Sequence, residues 1–205
     1  MSRTKNEKLR PLAKTDWVAY FKRFQSYIAL VAIFTIAATI SVKNGRNMLL
    51  SSRNLTNVLR AVSETGIISI GITLVVLMGD IDLSVGAVVG LVSTGSAALM
   101  VNNGFSFIPT IIASLAIGAL FGAINGLVIT RMRIQAFIVT LATMNIARGL
   151  ARFWSNGIGI PLTYGYGEGL AAPEFEFLQA RIGGEFPVPA VIYLVLVAIF
   201  TIVMN

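Results

Sequence analysis

The stretch G-D-I-D-L-S-V-G-A-V-V-G-L runs from Gly79 to Leu91. Two carboxylates, Asp80 and Asp82, stand two residues apart where one apolar run ends and the next begins. The chain around them is 56% hydrophobic and only 12% charged. A polar, Gly-headed turn between two long apolar runs reads as the reversal between two membrane-spanning helices. Asp82 or Ser84 can cap the second of these by accepting hydrogen bonds from its first free N–H groups. Asp80 belongs to the same turn. On this reading both acids are turn and cap residues at a wetted interface.

Working outward, the pattern repeats. Upstream, Leu55, Val58 and Leu59 keep helical spacing, so a helix starts at the interface and continues as a span to Met78. Downstream, Leu83 to Val101 is a third span, and Asn102, Asn103 and Gly104 form a turn. A fourth span runs from Phe105 to Ile129, with Pro109 near its start, where proline is tolerated. A fifth segment, Ile134 to about Ala151, is rich in hydroxyls. Residues 152–187 form a long Gly/Pro/aromatic loop with Glu168, Glu174, Glu176 and Glu185 opposed by Arg181. A final apolar run extends from Val188 to Met204, and a first one from Tyr27 to Val42. Several of these runs approach the roughly 20 residues that cross a bilayer as a helix. They are continuous, not alternating, which excludes a β-barrel. The expected fold is an all-α polytopic transmembrane helix bundle with about six spans in this chain.

Residues 1–26 form a separate basic lead. Arg3, Lys5, Lys8, Arg10, Lys14, Lys22 and Arg23 face only Glu7 and Asp16. This places the N-terminus in the cytoplasm by the positive-inside rule. The lead is too long for the n-region of a cleaved signal. Trp17, Tyr20, Phe21 and Phe24 fall on one helical face, as in a short interfacial helix on the inner leaflet or an amphipathic tail packed on the protein itself. Four basic residues between the first two spans, Lys43, Arg46, Arg53 and Arg60, run against the rule, whereas Arg131 and Arg133 agree with it.

Composition also excludes functions. The chain has no Cys and no His, so thiolate nucleophiles, zinc sites and imidazole bases are ruled out. No acid–base or nucleophile set accompanies Asp80 and Asp82. The expectation is a non-enzyme with no catalytic and no metal-binding residues. The formal charge of +7 fits topology and lipid-headgroup contact better than nucleic acid, given a mean hydropathy of +0.80.

Three constellations remain. Gly118, Gly122 and Gly126 make two overlapping G-x-x-x-G steps, and Gly86 and Gly90 make another; these are helix-packing faces within the subunit, or faces for a second copy or the transport path. Asn125 either bonds a neighbouring helix or lines a polar path. In the fifth segment, Asn145, Arg148 and Arg152 share a face, with Thr140 and Thr143 one or two turns earlier. The arginines either snorkel to the outer interface or border a hydrated vestibule for a polyhydroxy solute. Asn125, Thr140, Thr143 and Asn145 are the candidate translocation-pathway residues.

The Gly79–Leu91 stretch resembles the signature of permease subunits of ABC importers for monosaccharides of the ribose/xylose/galactose type. So do N-V-L-R-A-V-S-E-T-G-I-I-S-I-G-I-T-L-V-V-L (57–77), G-A-I-N-G-L-V-I-T (122–130) and A-F-I-V-T-L-A-T-M-N-I-A-R-G-L-A (136–151), in the same order and spacing. Together they cover roughly residues 50–205. The resemblance implies about ten spans per permease, two permeases per transporter as homodimer or heterodimer, two ATPase subunits, an extracytoplasmic sugar-binding protein and a bacterial inner membrane. It implies no cofactor in this chain; ATP and magnesium belong to the ATPase. No G-x-x-x-x-G-K-[ST] motif occurs here, as that division of labour requires. Position 80 is commonly Gly in the family, so Asp80 is a departure, as is the lack of Pro at Gln135 or Ala136. The chain ends in mid-run, so 27–205 is expected to be an incomplete permease domain, about the N-terminal two-thirds. An inactive truncated fragment is therefore one alternative. An ion-coupled secondary transporter is another, disfavoured because no span interior is expected to hold Asp or Glu.

Overall fold

A computed structural model describes residues 17–43, 45–184 and 186–205. The basic lead through residue 16, the side chains of the expected aromatic face from Trp17 to Phe21, and Glu185 lie outside the described residues. The chain divides into two units, Met1–Leu55 and Thr56–Asn205.

In the first unit, helix α1 spans Trp17–Ile40. The interfacial helix and first span expected separately are one uninterrupted helix. Nothing in this stretch breaks it: residues 17–40 contain neither Gly nor Pro. A short antiparallel pair follows, β1 (Val42–Lys43) with β2 (Arg46–Asn47), turning at Gly45 with φ +73°. The sequence reading missed this hairpin. Asn47 ties it to the helix end: its amide donates to the Ala38 carbonyl at 2.9 Å, and its oxygen accepts the Ser41 hydroxyl at 2.9 Å. Ser51 then caps the next helix, accepting the Asn54 N–H at 3.3 Å.

That helix, α2, spans Ser52–Leu77. It is followed by α3 (Val85–Val101), α4 (Phe107–Met132), α5 (Ala136–Trp154) and α6 (Val188–Met204). Among the described residues, α2 and α4 are long and apolar enough to cross a membrane; Phe24–Ile40 of α1, α3 and α6 are apolar but shorter. At 26 residues, α2 is about 39 Å long, more than the roughly 30 Å of a hydrocarbon core. The helix therefore includes residues that the sequence placed in the polar lead. Glu64, exposed and half-way along α2, is one of them. α2 is thus the helix expected to start at the interface and continue towards Met78.

The second unit is organised around α3, α4 and α5. α3 buries Leu91, Gly95, Ala97, Ala98 and Met100; α5 buries Ala136, Val139, Thr140, Thr143 and Ala147. Contacts near the two helix starts (Leu83 with Thr140) and further along (Gly95 with Trp154) show that α3 and α5 run parallel. α4 returns between them: Ser84 meets Asn125 and Ser96 meets Ser114. At Gly95 a Cβ would lie 2.8 Å from the Trp154 ring, so only glycine admits the indole.

The glycine steps behave otherwise. A Cβ added at Gly86, Gly90, Gly118, Gly122 or Gly126 would meet nothing within 4 Å. Packing inside the described chain is therefore not what these five glycines serve. α3 presents Leu91, Gly95 and Ala98 to its neighbours, which leaves Gly86 and Gly90 on open surface.

The segment after α5 is more ordered than a bare loop. Thr163–Ala171 closes on itself through Ala171 N–H to the Thr163 carbonyl at 2.9 Å and Gly165 N–H to the Ala171 carbonyl at 3.0 Å. A 3-10 helix, Pro173–Gln179, and the antiparallel pair β3 (Arg181–Ile182) with β4 (Phe186–Pro187) follow. Phe175 packs edge-on against Phe107 at the start of α4, with ring centroids 4.8 Å apart. Ala171 and Ala172 bury against Met100 at the end of α3.

Candidate functional site

The site begins with the turn. Gly79 takes φ +82°, and the N–H of Asp80 donates to the Val75 carbonyl at 3.2 Å, closing α2. The chain then passes Asp82, whose Oδ1 accepts both the N–H of Ser84 at 2.7 Å and its hydroxyl at 2.6 Å. Ser84 stands at the N-cap position of α3 but does not cap it. Its backbone is already α-helical (φ −82°, ψ −21°), not the extended conformation that aims a cap hydroxyl back at the helix. Asp82 instead organises the turn ahead of the helix. Asp80 contributes its backbone to the reversal.

From Ser84 the network enters the bundle. Asn125 on α4 donates its amide to the Ser84 hydroxyl oxygen at 3.2 Å, and its carbonyl oxygen accepts the Thr143 hydroxyl of α5 at 2.5 Å. The hydroxyl and amide protons thus point in one direction, Thr143 to Asn125 to Ser84 to Asp82, ending on a carboxylate. Such a chain polarises each member in turn. Thr140 adds a second tie: its hydroxyl donates to the Ala136 carbonyl at 2.8 Å and accepts the N–H of Leu83 at 3.2 Å. Ser84, Asn125, Thr140 and Thr143 are each 7% exposed or less. In an apolar surrounding a lone polar group of this kind is costly; here the hydroxyls and the amide find partners in each other or in a nearby backbone.

Three candidate pathway residues, Asn125, Thr140 and Thr143, are therefore brought together with Asp82 and Ser84. They form a buried clamp joining the turn, α4 and α5. Asn145 is apart from it: it is exposed, and its amide donates to the Leu141 carbonyl of its own helix at 2.9 Å. Its hydrogen bonds fix the turn, α4 and α5 relative to one another.

Beside the clamp, Arg148 and Arg152 of α5 face Gly86, Gly90 and Thr94 of α3 across an open groove of about 340 Å³. At Gly86 and Gly90 its α3 wall is bare backbone. Thr94 escaped the sequence reading, although it lies one turn beyond Gly90, a spacing that puts both on one face.

Residues 54–205 match the family described as branched-chain amino acid transport system / permease component. The chain is 41% identical over 133 residues to the xylose transport system permease protein of Haemophilus influenzae, covering 65% of this chain and 35% of that one. It is 36% identical over 151 residues to the ribose import permease protein of Escherichia coli (strain K12), covering 73% and 44%. It is 30% identical over 182 residues to the autoinducer 2 import system permease protein of Enterobacter sp. (strain 638), covering 88% and 49%. The chain thus spans less than half the length of these relatives. No solved structure matches it.

Proposed function

The chain belongs to this family of transport permeases, and from that premise we propose that it forms part of the membrane-spanning subunit of a binding-protein-dependent ABC importer for a monosaccharide. The observation that carries the proposal is the similarity to permeases named for xylose and ribose, together with the family match over residues 54–205, which includes the Gly79–Ser84 turn and the buried clamp. A pentose or hexose is favoured over a branched-chain amino acid, despite the family's description, because two of these relatives are named for pentoses. The partners are two ATPase subunits, an extracytoplasmic sugar-binding protein and a second permease copy, in a bacterial inner membrane. ATP and magnesium act in the ATPase.

In this mechanism the permease does no bond chemistry. ATP binding draws the ATPases together, the permease pair opens outward, and the sugar passes from its binding protein into a wide, weakly polar path. Asn125, Thr140 and Thr143 support the wall of that path by holding α4 and α5 to the turn. Asn145, Arg148 and Arg152 are on surface that a solute can reach.

The test is uptake of radiolabelled D-xylose and D-ribose by cells carrying the transporter, under two poisons. Arsenate, which depletes ATP, should abolish uptake. A protonophore given with a glycolytic ATP source should leave most of it. The opposite pattern would establish an ion-coupled carrier, for which Glu64 would be the acidic candidate.

A further inference from the structure

The clamp and the arginine groove leave the other side of the second unit, where α2 and α6 meet, without an assigned role. There Ala61, Val62, Thr65, Gly66 and Ser69 of α2 and Tyr193 of α6 line a cleft of about 450 Å³. This lies within the roughly 300–1,000 Å³ of small-molecule sites.

The chemistry of the lining is specific. The Tyr193 ring rests directly on Gly66: a Cβ there would lie 2.5 Å from a ring carbon. The missing side chain lets an aromatic ring lie flat against a helix and form one wall of the cleft. Thr65 and Ser69 stand one turn apart on the opposite wall. Their hydroxyls donate to their own helix, to the carbonyls of Ala61 at 3.0 Å and Thr65 at 2.8 Å. Each has then used its only proton and keeps free lone pairs. The cleft thus offers acceptors on one side and a ring face on the other, with no formal charge. A sugar presents the complement, an apolar C–H face for the ring and hydroxyl donors for the acceptors. Lipid chains would use the ring but not the acceptors. Thr65 and Ser69 also lie in the apolar half of α2, away from its Arg53 and Arg60 end.

We propose that Thr65, Ser69 and Tyr193 form a sugar-contact site on the transport path, with Tyr193 as the stacking platform that Gly66 makes possible. This rests on the permease reading and adds the α2–α6 cleft to it.

These 205 residues contain no cysteine, so a cysteine placed among them is distinct within this stretch, and the parent transporter treated alike gives the background labelling. In the assembled transporter, Ser69→Cys and, as a second position, Thr65→Cys are probed with a membrane-impermeant cationic methanethiosulfonate. Leu74→Cys, on the far side of α2, is the control. We expect labelling at 69 or 65, slowed about tenfold by the transported pentose at ten times its half-saturating concentration, and no labelling at 74. Tyr193→Phe should keep the half-saturating concentration within about twofold, and Tyr193→Ala should raise it about two- to tenfold with little change in maximal rate. If the parent transporter imports D-xylose or D-ribose but neither cysteine is labelled, or the sugar does not slow labelling, the site is wrong and the permease reading stands. If the parent imports neither sugar nor any other monosaccharide, the permease reading fails and the site with it.

Discussion

Helices α2 and α3 flank the same turn, yet they treat their polar groups differently. On α3 and at its start, hydroxyls also meet other helices: Ser84 accepts from Asn125, and Ser96, which bonds the Val92 carbonyl four residues back, lies 2.6 Å from the Ser114 hydroxyl. On α2, Ser63, Thr65, Ser69 and Thr73 each donate to the carbonyl four residues back. α3 buries five residues in 17, whereas α2 buries two in 26. A hydroxyl bonded across helices fixes a neighbour. One bonded within its own helix is merely tolerated in an apolar medium, and its lone pairs remain open to a passing partner. The α3–α4–α5 block is accordingly a framework, and α2 is a surface.

Three substitutions can break or sharpen this contrast. Asn125→Leu should have the largest effect, because it cuts the clamp at its centre and strands the Thr143 hydroxyl. Side-chain hydrogen bonds within membranes average about 0.6 kcal/mol each, but orphaned buried groups add to the loss. We expect about 1–3 kcal/mol of lost stability in detergent unfolding, with reduced sugar uptake and normal membrane insertion. Unchanged unfolding and uptake would remove the clamp from any supporting role. Gly95→Ala should follow, at about 1–2 kcal/mol, since its Cβ must displace the Trp154 indole. A shift in Trp154 fluorescence, read in a Trp17→Phe background, should accompany it; a spectrum like the parent's would mean that the α3–α5 seam is looser than described. Thr73→Val on α2 should change unfolding least, within about 0.5 kcal/mol. A loss near that of Asn125→Leu would erase the distinction between framework and surface.

Much of the architecture was legible because it is local. Apolar runs and their breaks located α2 to α6, with α3 and α6 beginning or ending within a few residues of expectation. The residues of the clamp were singled out individually, because polar groups stand out against an apolar background. Their connection was not legible. Ser84 and Asn125 are 41 residues apart, and no periodicity records which of several buried polar groups will meet. The glycine steps were legible only in part for a related reason: spacing reveals that a face is smooth, not whether the same chain, a second copy or the transport path lies against it. Gly66 and Gly95, in no such step, are the glycines pressed against rings. The hairpin at 42–47 was missed because two-residue strands carry no alternation to read. Glu64 falls inside α2, the helix whose periodicity through Leu55, Val58 and Leu59 was legible.

The parallel run of α3 and α5, with α4 antiparallel to them and packed on both, bears on sidedness. If α3, α4 and α5 each cross the bilayer, the turn holding Asp80 and Asp82 and the short connection holding Arg133 emerge on one face. The Asn102–Ser106 turn and the segment with Glu168, Glu174 and Glu176 emerge on the other. This holds whichever way the chain is inserted, because it depends only on the number of crossings between them. Acidic and basic connections at one face are thus near neighbours, while the glutamates answer to a different compartment. A soluble protein docked on either face is separated from the other by the full thickness of the framework, and news of its arrival must travel through the clamp's helices.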